Sequence, residues 1–597
     1  MEARIKALIV WLLEPGTVIC PERILFFATA FIIKFSLTCS RVIFNQLFFC
    51  YYIIMVKQAI IQVENTQNII EFAEFLHKSG WEILSANKTE ELLEKNKIPV
   101  KHETALEENN IYVQETSSLV RRILMTRIDS DDMMSHLGQE NSIHIICANI
   151  FPFLDINIDK KGKQPQTEIK PYTMYVSTLL RNAFSNYENL LILTDPADYK
   201  EAIIQLKTDN VTPDFRLYLA AKALNLISAF DGGIAASILQ SEKFNIKFLN
   251  YISFPFKKEV NLQLGTNAHQ KASLYRTPVD FGALNGFSKL TGKDISYTMA
   301  ADATFAWDQI HSLYSLFKNQ YTVKSENKDG YPFTTQFTPL TGTVFSIVIK
   351  MLNILGAGIS SNVLESFQRA YCYDTENITD ATYGCSAVID ANAAHEIAKC
   401  NFSVIIAPGF TPEAKDLLSE KKHTKLITAG KANKIGLDGK LINGGIILQE
   451  LDDTPFHHWK ITTKNRPSQI IADQMAFGMR MVMSARSYSA VLIKENSIVG
   501  IAQSCLSNIE ALERVYEDAM SRKVRNCHEE AQAEEKLADV LVCDTAIPFC
   551  DQIKKITDAG VSAIIQAGGT ASDSDFIEYC DERNLVMVFT DMTHINF

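Results

Sequence analysis

Hydrophobic and polar positions alternate along most of the chain with the two periods that distinguish strands from helices. The short apolar run Ala59–Val63 predicts a buried strand, and the apolar residues of Ile69–Ser79 recur at helical spacing. Strands of the same kind are predicted at three further runs, Ile83–Ser85, Ile143–Ala148 and Leu190–Thr194. Strands that alternate with helices are typical of α/β proteins, in which a parallel sheet is covered on both faces.

A second and larger unit is predicted after the long helix Pro213–Leu239, and it begins at Asn261. Its buried strands are predicted at Val404–Phe410, Ile446–Leu448 and Ala490–Ile493. Ser325–Thr343 is polar and irregular, which predicts a loop or an insertion, whereas the acidic segment Ala531–Asp539 predicts a surface helix. The sequence shows no internal repeat.

The last 54 residues alternate a short apolar strand, a loop and an amphipathic helix, twice over. The apolar run Val561–Gln566 leads into Gly568-Gly569-Thr570, and Asp573 opens the next helix. A Gly-Gly-hydroxyl loop after a buried strand presents backbone N–H groups at a helix start, where they can hold an anion. The loop is therefore either a candidate phosphate site or simply a turn.

The first 54 residues differ from the rest of the chain. Two apolar runs, Ile24–Ile33 and Val42–Val56, both fall short of the roughly 18–20 uninterrupted apolar residues that span a bilayer. The pattern of a secretory signal peptide also fits poorly. We predict that residues 1–54 are an apolar extension outside the native fold, with translation beginning at Met55. A membrane-attached extension is the alternative.

Composition and charge narrow the class of protein. A chain of 597 residues is long enough for two to four domains, and 47% hydrophobic with 21% charged residues is ordinary for a globular protein. The net charge of −11 argues against a general nucleic-acid binder. The twelve cysteines show neither CxxC pairs nor histidine spacing, so no metal site is predicted. Reduced thiols and a cytoplasmic location are expected.

Several strings resemble one family, and they occur along nearly the whole chain after Met55. The strings are NIFPF (Asn149–Phe153), DPADY (Asp195–Tyr199), NLQLGTNAHQKASLY (Asn261–Tyr275), KDISYTMAADATFAW (Lys293–Trp307) and SVIIAPGFTPEA (Ser403–Ala414). They are similar to NLYPF, DPADY, LRYGENPHQKAAFY, KELSYNNIADADAAW and EVIIAPGFSPEA of the bifunctional purine-biosynthesis enzymes that combine AICAR transformylase with IMP cyclohydrolase. The C-terminal segment resembles the same family.

The resemblance implies a fold, a reaction and partners. It implies an IMP-cyclohydrolase-like domain at 55–240 with a methylglyoxal-synthase-like parallel sheet. It also implies an AICAR-transformylase-like region at 241–597 of the cytidine-deaminase-like α/β class, built of one or two subdomains. The implied reaction is formyl transfer from 10-formyltetrahydrofolate, as co-substrate, to AICAR, followed by ring closure to IMP. The implied partners are a nucleotide, a folate and a second copy in a homodimer, without nucleic acid, membrane or metal.

The residues that would carry formyl transfer are only partly retained. The reaction needs proton removal from the attacking amine and charge stabilisation at the tetrahedral carbon. The family's KHANPCG string falls on Lys350–Gly356, where Lys350 and Asn353 persist but Met351 stands at the histidine position. A thioether cannot exchange a proton near neutral pH, and loss of a general base costs roughly 10²–10⁴-fold in rate. The resemblance makes Lys350 a candidate catalytic residue, together with His269, which could instead merely pack or hydrogen-bond.

The positions that would hold ligands have also lost charge. Gln263-Leu264 replaces the family's Arg-Tyr pair, and Cys550 and Thr593 replace arginines. The candidate binding residues that remain are Asn267, Asn353, Lys464, Asp551, Gly568, Gly569, Thr570 and His594. Asp551 could instead cap a helix and Lys464 could simply be solvated.

The cyclohydrolase half has lost more. The family's phosphate loop STGGT falls on Ser85–Thr89, where both glycines are gone, and its KTLHP string falls on Val113–Ser117. Phe151 replaces the tyrosine of NLYPF. We therefore predict that ring closure is lost and that formyl transfer is weak or lost. Two hypotheses stand: a divergent purine-biosynthesis enzyme, or a catalytically impaired homologue that acts as a nucleotide-binding or scaffold protein.

Overall fold

The computed structural model describes residues 57–103, 143–150, 171–239, 248–277, 287–291, 294–317, 321–371, 377–430, 437–526 and 536–597. They divide into two compact units, with the boundary between Ser228 and Ala229. The predictions for residues 1–54, for Val113–Ser117 and for Phe151 lie outside the described residues. Within the described part, no helix is long and apolar enough to cross a membrane.

The first unit is built on a parallel sheet, as the sequence predicts. Its strands are β1 (Gln58–Val63), β2 (Glu82–Ser85), β3 (Lys101–His102), β4 (Ile143–Asn149) and β5 (Leu191–Leu193), in the order β3-β2-β1-β4-β5. Every described pairing in this sheet is parallel. Its helices are α1 (Ile69–Lys78), α2 (Asn87–Lys95), α3 (Pro171–Phe184) and α4 (Tyr199–Lys207), with a 3₁₀ turn at Pro196–Asp198.

Burial explains why the strands and helices of this unit could be predicted from the sequence. All six residues of β1 are buried, as expected of a strand covered on both faces. Helix α1 buries Ile69, Phe72, Ala73 and Leu76, which recur every three or four residues along one face. Helix α5 (Pro213–Leu239) continues across the boundary between the units.

The second unit is built on one mixed sheet of fourteen strands. The strand order is β10-β9-β18-β23-β22-β21-β19-β20-β12-β11-β13-β14-β15-β8. The strands are β8 (Phe287–Thr291), β9 (Tyr321–Glu326), β10 (Pro332–Phe337), β11 (Val344–Lys350), β12 (Asn353–Ser360), β13 (Thr382–Cys385), β14 (Val404–Ala407), β15 (Lys425–Ala429), β18 (His458–Ile461), β19 (Ala490–Lys494), β20 (Ser497–Ala502), β21 (Val540–Cys543), β22 (Ala563–Gln566) and β23 (Val586–Phe589). Two separate hairpins pair β6 (Lys257–Leu262) with β7 (Ala272–Arg276) and β16 (Leu437–Ile442) with β17 (Gly445–Glu450).

Helices cover both faces of this sheet. They are α6 (Tyr297–Phe317), α7 (Val363–Tyr371), α8 (Ala391–Ile397), α9 (Pro412–Ser419), α10 (Gln469–Ser484), α11 (Asn508–Asn526), α12 (Asp551–Asp558) and α13 (Asp573–Glu582). Helices α6 and α10 share one apolar core on one face. On the other face, α7–α9 and α11–α13 pack over two separate cores.

The large sheet contains an internal duplication of its strand arrangement, although the sequence shows no repeat. Outward from the central antiparallel pair β12–β20, each half has a hairpin, three parallel strands and an antiparallel outer strand. These are β11–β12, β13–β15 and β8 in one half, and β19–β20, β21–β23 and β18 in the other. The repeat is hidden in the sequence because a fold needs only apolar positions of the right period, which many sequences supply.

The duplication determines the direction of each strand, and therefore the side of the sheet at which each strand ends. Since the two halves meet through an antiparallel pair, β13–β15 run opposite to β21–β23. The sheet therefore has two opposite edges, which we call the β21–β23 edge and the β13–β15 edge after the parallel strands that end there. Strand β11 ends at the β21–β23 edge, and strands β18 and β19 end at the β13–β15 edge.

Three expectations for this unit are wrong. The segment Ser325–Thr343 forms most of the β9–β10 hairpin, whose inward side chains are Val323, Ser325, Thr335 and Phe337, so serines and threonines concealed a strand pattern. Strand β17 contains the predicted Ile446–Leu448 but is exposed rather than buried. Within Ala531–Asp539, the described residues 536–539 are not helical. The other strands predicted in the second unit are confirmed, although Val404–Phe410 ends earlier, at Ala407.

Candidate functional site

The β21–β23 edge brings together residues from three successive strand ends. Asp544 follows β21, Gly568–Thr570 follows β22, and Thr590–His594 follows β23. The carboxyl ends of neighbouring parallel strands are where open α/β sheets bind ligands. This edge is therefore the candidate functional site of the second unit.

Asp544 is a buried carboxylate at this site, and the sequence analysis did not identify it. It is 1% exposed, and its Oδ2 accepts hydrogen bonds from Ser487 Oγ at 2.6 Å, Ser489 N at 2.9 Å and Ser489 Oγ at 3.0 Å. Burial raises the pKa of its carboxyl group, against the lowering effect of these hydrogen bonds. The available signal was an aspartate directly after a buried strand.

The predicted anion loop already holds an anion from its own chain. The N–H groups of Gly569 and Thr570 donate to Asp573 Oδ2 at 2.7 and 3.2 Å, and Thr570 Oγ1 donates to Asp573 Oδ1. Gly568 and Gly569 have φ of 78° and 100°, and a Cβ on Gly568 would meet the Phe589 ring at 2.5 Å. The loop has the geometry of an anion site, and the first carboxylate of α13 occupies it.

His594 and Asp551 flank the loop in different environments. His594 is buried, with Nδ1 2.7 Å from Asp452 Oδ2 and Nε2 2.9 Å from the Pro455 carbonyl. Both neighbours, a carboxylate oxygen and a backbone carbonyl, are hydrogen-bond acceptors. Asp551 is the exposed first residue of α12 and contacts Lys554 Nζ at 3.0 Å. The helix cap position belongs to Cys550, whose side chain makes no cap hydrogen bond.

Lys350 and Asn353 flank the tight turn between β11 and β12, at the same edge of the sheet. Met351 and Leu352 have φ of 51° and 59°, as a two-residue hairpin turn of type I′ requires. Lys350 Nζ donates to the carbonyls of Asn377 at 3.1 Å and Thr379 at 2.9 Å. Asn353 Nδ2 donates to the Met351 carbonyl at 3.1 Å, and Met351 is 67% exposed.

Asp302 anchors this turn from helix α6. Its two carboxylate oxygens accept from Met351 N at 2.9 Å and Leu352 N at 2.7 Å, and the residue is 5% exposed. Burial raises the pKa of its carboxyl group, although both backbone bonds act to lower it. The sequence signal was an acidic residue among the apolar residues of a helix.

The duplication supplies a second turn of the same construction. Lys494 pairs with Ser497 across Glu495 and Asn496, whose φ values are 50° and 60°. Lys494 Nζ donates to the Lys536 carbonyl at 3.3 Å, as Lys350 Nζ does to carbonyls that precede β13. Each lysine therefore holds the segment that leads into a neighbouring strand, β13 for Lys350 and β21 for Lys494. Any catalytic role of Lys350 comes in addition to it.

Asn267 and His269 lie in the exposed loop between β6 and β7. Gln270 Oε1 accepts from Asn267 N at 2.9 Å and from Asn267 Nδ2 at 3.2 Å. Backbone bonds from Gln263 N to the Ile295 carbonyl and from Tyr297 N to the Leu264 carbonyl tie this loop to the start of α6. His269 is exposed there.

The structure does not bring all the predicted residues together. Lys464 follows β18 at the β13–β15 edge, and its N–H donates to Asp581 Oδ1 at 2.6 Å. Lys350 and Asp544 share the β21–β23 edge, but four strand spacings separate β11 from β21. At about 4.8 Å per spacing, this is roughly 19 Å within one chain.

The phosphate-loop region of the first unit is also filled from within. Thr89 Oγ1 accepts from Val63 N at 3.2 Å and donates to the Val63 carbonyl at 3.1 Å. Gln62 Oε1 accepts from Ala86 N at 3.1 Å. These bonds occupy the Thr89 hydroxyl and the Ala86 N–H at the start of α2. Among the described residues of the chain, no three His, Cys, Asp or Glu side chains are grouped so as to hold a metal ion.

The family model and the curated relatives point to the same family. The family model described as the AICARFT/IMPCHase bienzyme matches residues 183–517. The bifunctional purine biosynthesis protein PurH of Petrotoga mobilis is 26% identical over 551 residues, which is 90% of this chain and 99% of that relative. PurH of Clostridium acetobutylicum is 28% identical over 549 residues, with the same coverage. The solved structure of ForH aligns with 30% of this chain and 95% of its own, at 24% identity and a TM-score of 0.26.

Proposed function

The chain belongs to the AICARFT/IMPCHase bienzyme family, and we propose that it still transfers a formyl group from 10-formyltetrahydrofolate to AICAR, at a reduced rate. The relatives that it matches over 99% of their own length are bifunctional purine biosynthesis proteins, and the chain is likewise formyltransferase- and cyclohydrolase-like. The finer assignment rests on the residues of the β21–β23 edge.

The observation that carries the proposal is the anchored turn at Lys350. Two carbonyls orient the Lys350 amine, and Asp302 fixes the backbone of the turn beside it. A positioned ammonium group can stabilise negative charge on a tetrahedral intermediate without reorganisation. Met351 cannot take the proton of the attacking amine, so proton removal falls to solvent and the rate is low.

We propose that the first unit no longer closes the purine ring. The segment Ser85–Thr89 lacks the glycines that would let a phosphate approach the backbone, and Thr89 and Gln62 use the nearby groups for internal bonds. A formylated nucleotide would then leave this protein as its product.

We also propose that two copies complete the transfer site. The roughly 19 Å between β11 and β21 separates Lys350 from Asp544, and the Gly568–Thr570 loop lies one strand spacing farther away, after β22. The β16–β17 hairpin exposes apolar side chains, with Leu441 84% and Ile447 57% exposed, as an interface would use. In this arrangement the nucleotide and folate bind where the Lys350 turn of one copy faces the loop of the other.

A reducing compartment fits the thiols of the described residues. Cys147, Cys385, Cys400, Cys505, Cys543, Cys550 and Cys580 are all free, and all but Cys550 are buried. This supports the proposal of a cytoplasmic location.

The proposal is tested by assaying the full chain for formyl transfer from 10-formyltetrahydrofolate to AICAR. Lys350→Ala should abolish turnover, while Lys494→Ala, which removes the equivalent lysine at the opposite edge, should leave it. Equal losses in the two variants would mean that both lysines only hold strands. A folded sample that binds AICAR without turnover would instead support the nucleotide-binding or scaffold hypothesis.

A further inference from the structure

Helix α10 carries a positive charge in the interior of the second unit. Arg480 is 5% exposed and lies in a run of residues, Gln474 to Ser484, that are all buried. Burial lowers the pKa of its guanidinium to about 10, so the group keeps its charge at neutral pH. A buried charge is tolerated when it is paired or fully hydrogen-bonded.

The guanidinium of Arg480 has more N–H donors than hydrogen-bond acceptors around it. One terminal nitrogen donates to Gln309 Oε1 at 3.1 Å, and the other approaches the Met483 sulfur at 3.8 Å. The Nε atom has no partner. Among the described residues, no carboxylate forms an ion pair with this guanidinium.

The nearest acidic residues act from beyond ion-pair distance. Asp452, Asp453 and Asp308 each raise the pKa of Arg480 through space. Asp452 is held by His594 at 2.7 Å, and Asp453 accepts from Thr454 Oγ1 at 3.0 Å. Asp452 and Asp453 are exposed, so solvent weakens their attraction for the buried cation, whereas Asp308 is half-buried.

Two buried polar side chains complete the surroundings of the guanidinium. Gln309 Oε1 accepts from both Arg480 and Ser484, which are 5% and 6% exposed. The Gln309 amide nitrogen is thereby left as a further donor on the same group. A planar guanidinium beside an amide donor matches the oxygens of a carboxylate or a phosphate.

We propose that Arg480, Gln309 and Ser484 form a binding site for a small oxyanion, which neutralises the buried guanidinium. The shared ligand chemistry is that of inorganic phosphate and a small carboxylate. The site is distinct from the Lys350 turn, and it does not depend on whether the protein transfers a formyl group.

The proposal is tested by thermal unfolding of the full chain in sodium phosphate, sodium acetate or sodium chloride at equal ionic strength. Arg480→Met removes the charge at similar volume, and Arg583→Met removes an exposed arginine paired with Asp558. Phosphate or acetate should raise the Tm of the wild type and of Arg583→Met above the value in chloride, but not that of Arg480→Met. In chloride, Arg480→Met should be at least as stable as the wild type, because it removes an unpaired buried charge.

Two results would overturn the site. One is that neither oxyanion raises the Tm of the wild type, or that each raises it equally in all three proteins. The other is that Arg480→Met is much less stable than the wild type in chloride, or does not fold, since the guanidinium would then be a satisfied structural group. Hydrogen exchange on the wild type provides the independent measurement. The backbone amides of α10 should exchange more slowly in the effective oxyanion, and unchanged exchange would also reject the site.

Discussion

At the scale of single residues, the chemistry of the transfer site depends on Met351. Its side chain is mostly exposed beside Lys350, on a backbone with φ of 51°. Histidine is among the residues that tolerate this left-handed conformation, so the position can accept an imidazole without disturbing the turn. The turn therefore keeps its backbone conformation and lacks only a side chain that can accept the proton.

We expect Met351→His to raise the rate of formyl transfer, because an imidazole can take the proton of the amine. The gain should approach the roughly 10²-fold lower limit for general-base catalysis. Met351→Gln is the matched control, since it is polar but cannot exchange a proton near neutral pH. Equal rates for the two variants would mean that formyl transfer is limited by substrate binding rather than by the missing proton acceptor.

At the scale of elements, two loops owe their shape to single carboxylates. Asp302 holds the turn between β11 and β12, and Asp573 fills the loop between β22 and α13. In both, a carboxylate satisfies two backbone N–H groups that a tight loop leaves unpaired. Each loop should therefore respond sharply to loss of its carboxylate.

Asp302→Asn should lower stability by about 1–3 kcal/mol, because the new amide places donors against a backbone N–H and leaves it unsatisfied. Transfer activity should fall further as the Lys350 turn loses its anchor. Thr304→Val is the control on the same helix, since Thr304 Oγ1 bonds only the Ala300 carbonyl. Urea unfolding and the transfer rate are the measurements. A loss no greater than that of Thr304→Val would show that the turn stands without Asp302.

Asp573→Ala should free the N–H groups of Gly569 and Thr570 for an external phosphate. We expect tighter AICAR binding in equilibrium titration, with a stability loss of about 0.5–2 kcal/mol from the weakened helix start. Asp575→Ala removes a neighbouring charge of α13 and is the control for net charge. Binding no tighter than in that control would mean that the loop is only a turn.

Much of the fold could be predicted from the sequence, and the failures have physical causes. Strands buried on both faces, such as β1, are continuous apolar runs that few other structures produce. The β9–β10 hairpin was missed because its inward positions include Ser325 and Thr335, which bond each other across the strands. Asp302 and Asp544 were missed because their roles depend on backbone groups that are far away along the chain.

At the scale of the whole molecule, a lysine paired with two aspartates ties the Asp195–Asp198 segment of the first unit to helix α5. In the first unit, Lys222 Nζ contacts Asp195 Oδ2 at 2.7 Å and Asp198 Oδ2 at 2.6 Å. Burial acts to raise the pKa of Asp195, but its hydrogen bonds to Lys222 and to the Ala197 N–H outweigh burial and lower it. This stabilisation is present above the ordinary pKa of an aspartate, about 3.9, and is lost as the pH falls through the lowered value.

Lys222→Met should therefore lower the free energy of unfolding by about 1–2 kcal/mol at pH 7. This figure is reduced for solvent screening, because Asp195 is partly exposed. The difference from the wild type should shrink as the pH falls below about 4. Urea unfolding across this range is the measurement. Lys78→Met, which removes an exposed pair with Glu74, is the control and should change little. A difference that persists unchanged to pH 2 would mean that Lys222 acts through packing alone.

The pairing of β9 with β18 has a consequence for how the protein is made. The hairpin β9–β10 precedes β11 along the chain, yet it completes the far end of the sheet, next to β18. A ribosome adds about 5–20 residues per second. Roughly 130 residues separate the two strands, so the finished hairpin waits on the order of 10 s for its neighbour to emerge. During that interval the edge of β9 that will pair with β18 can pair with other nascent chains. A chaperone that shields this edge would raise the yield of folded protein.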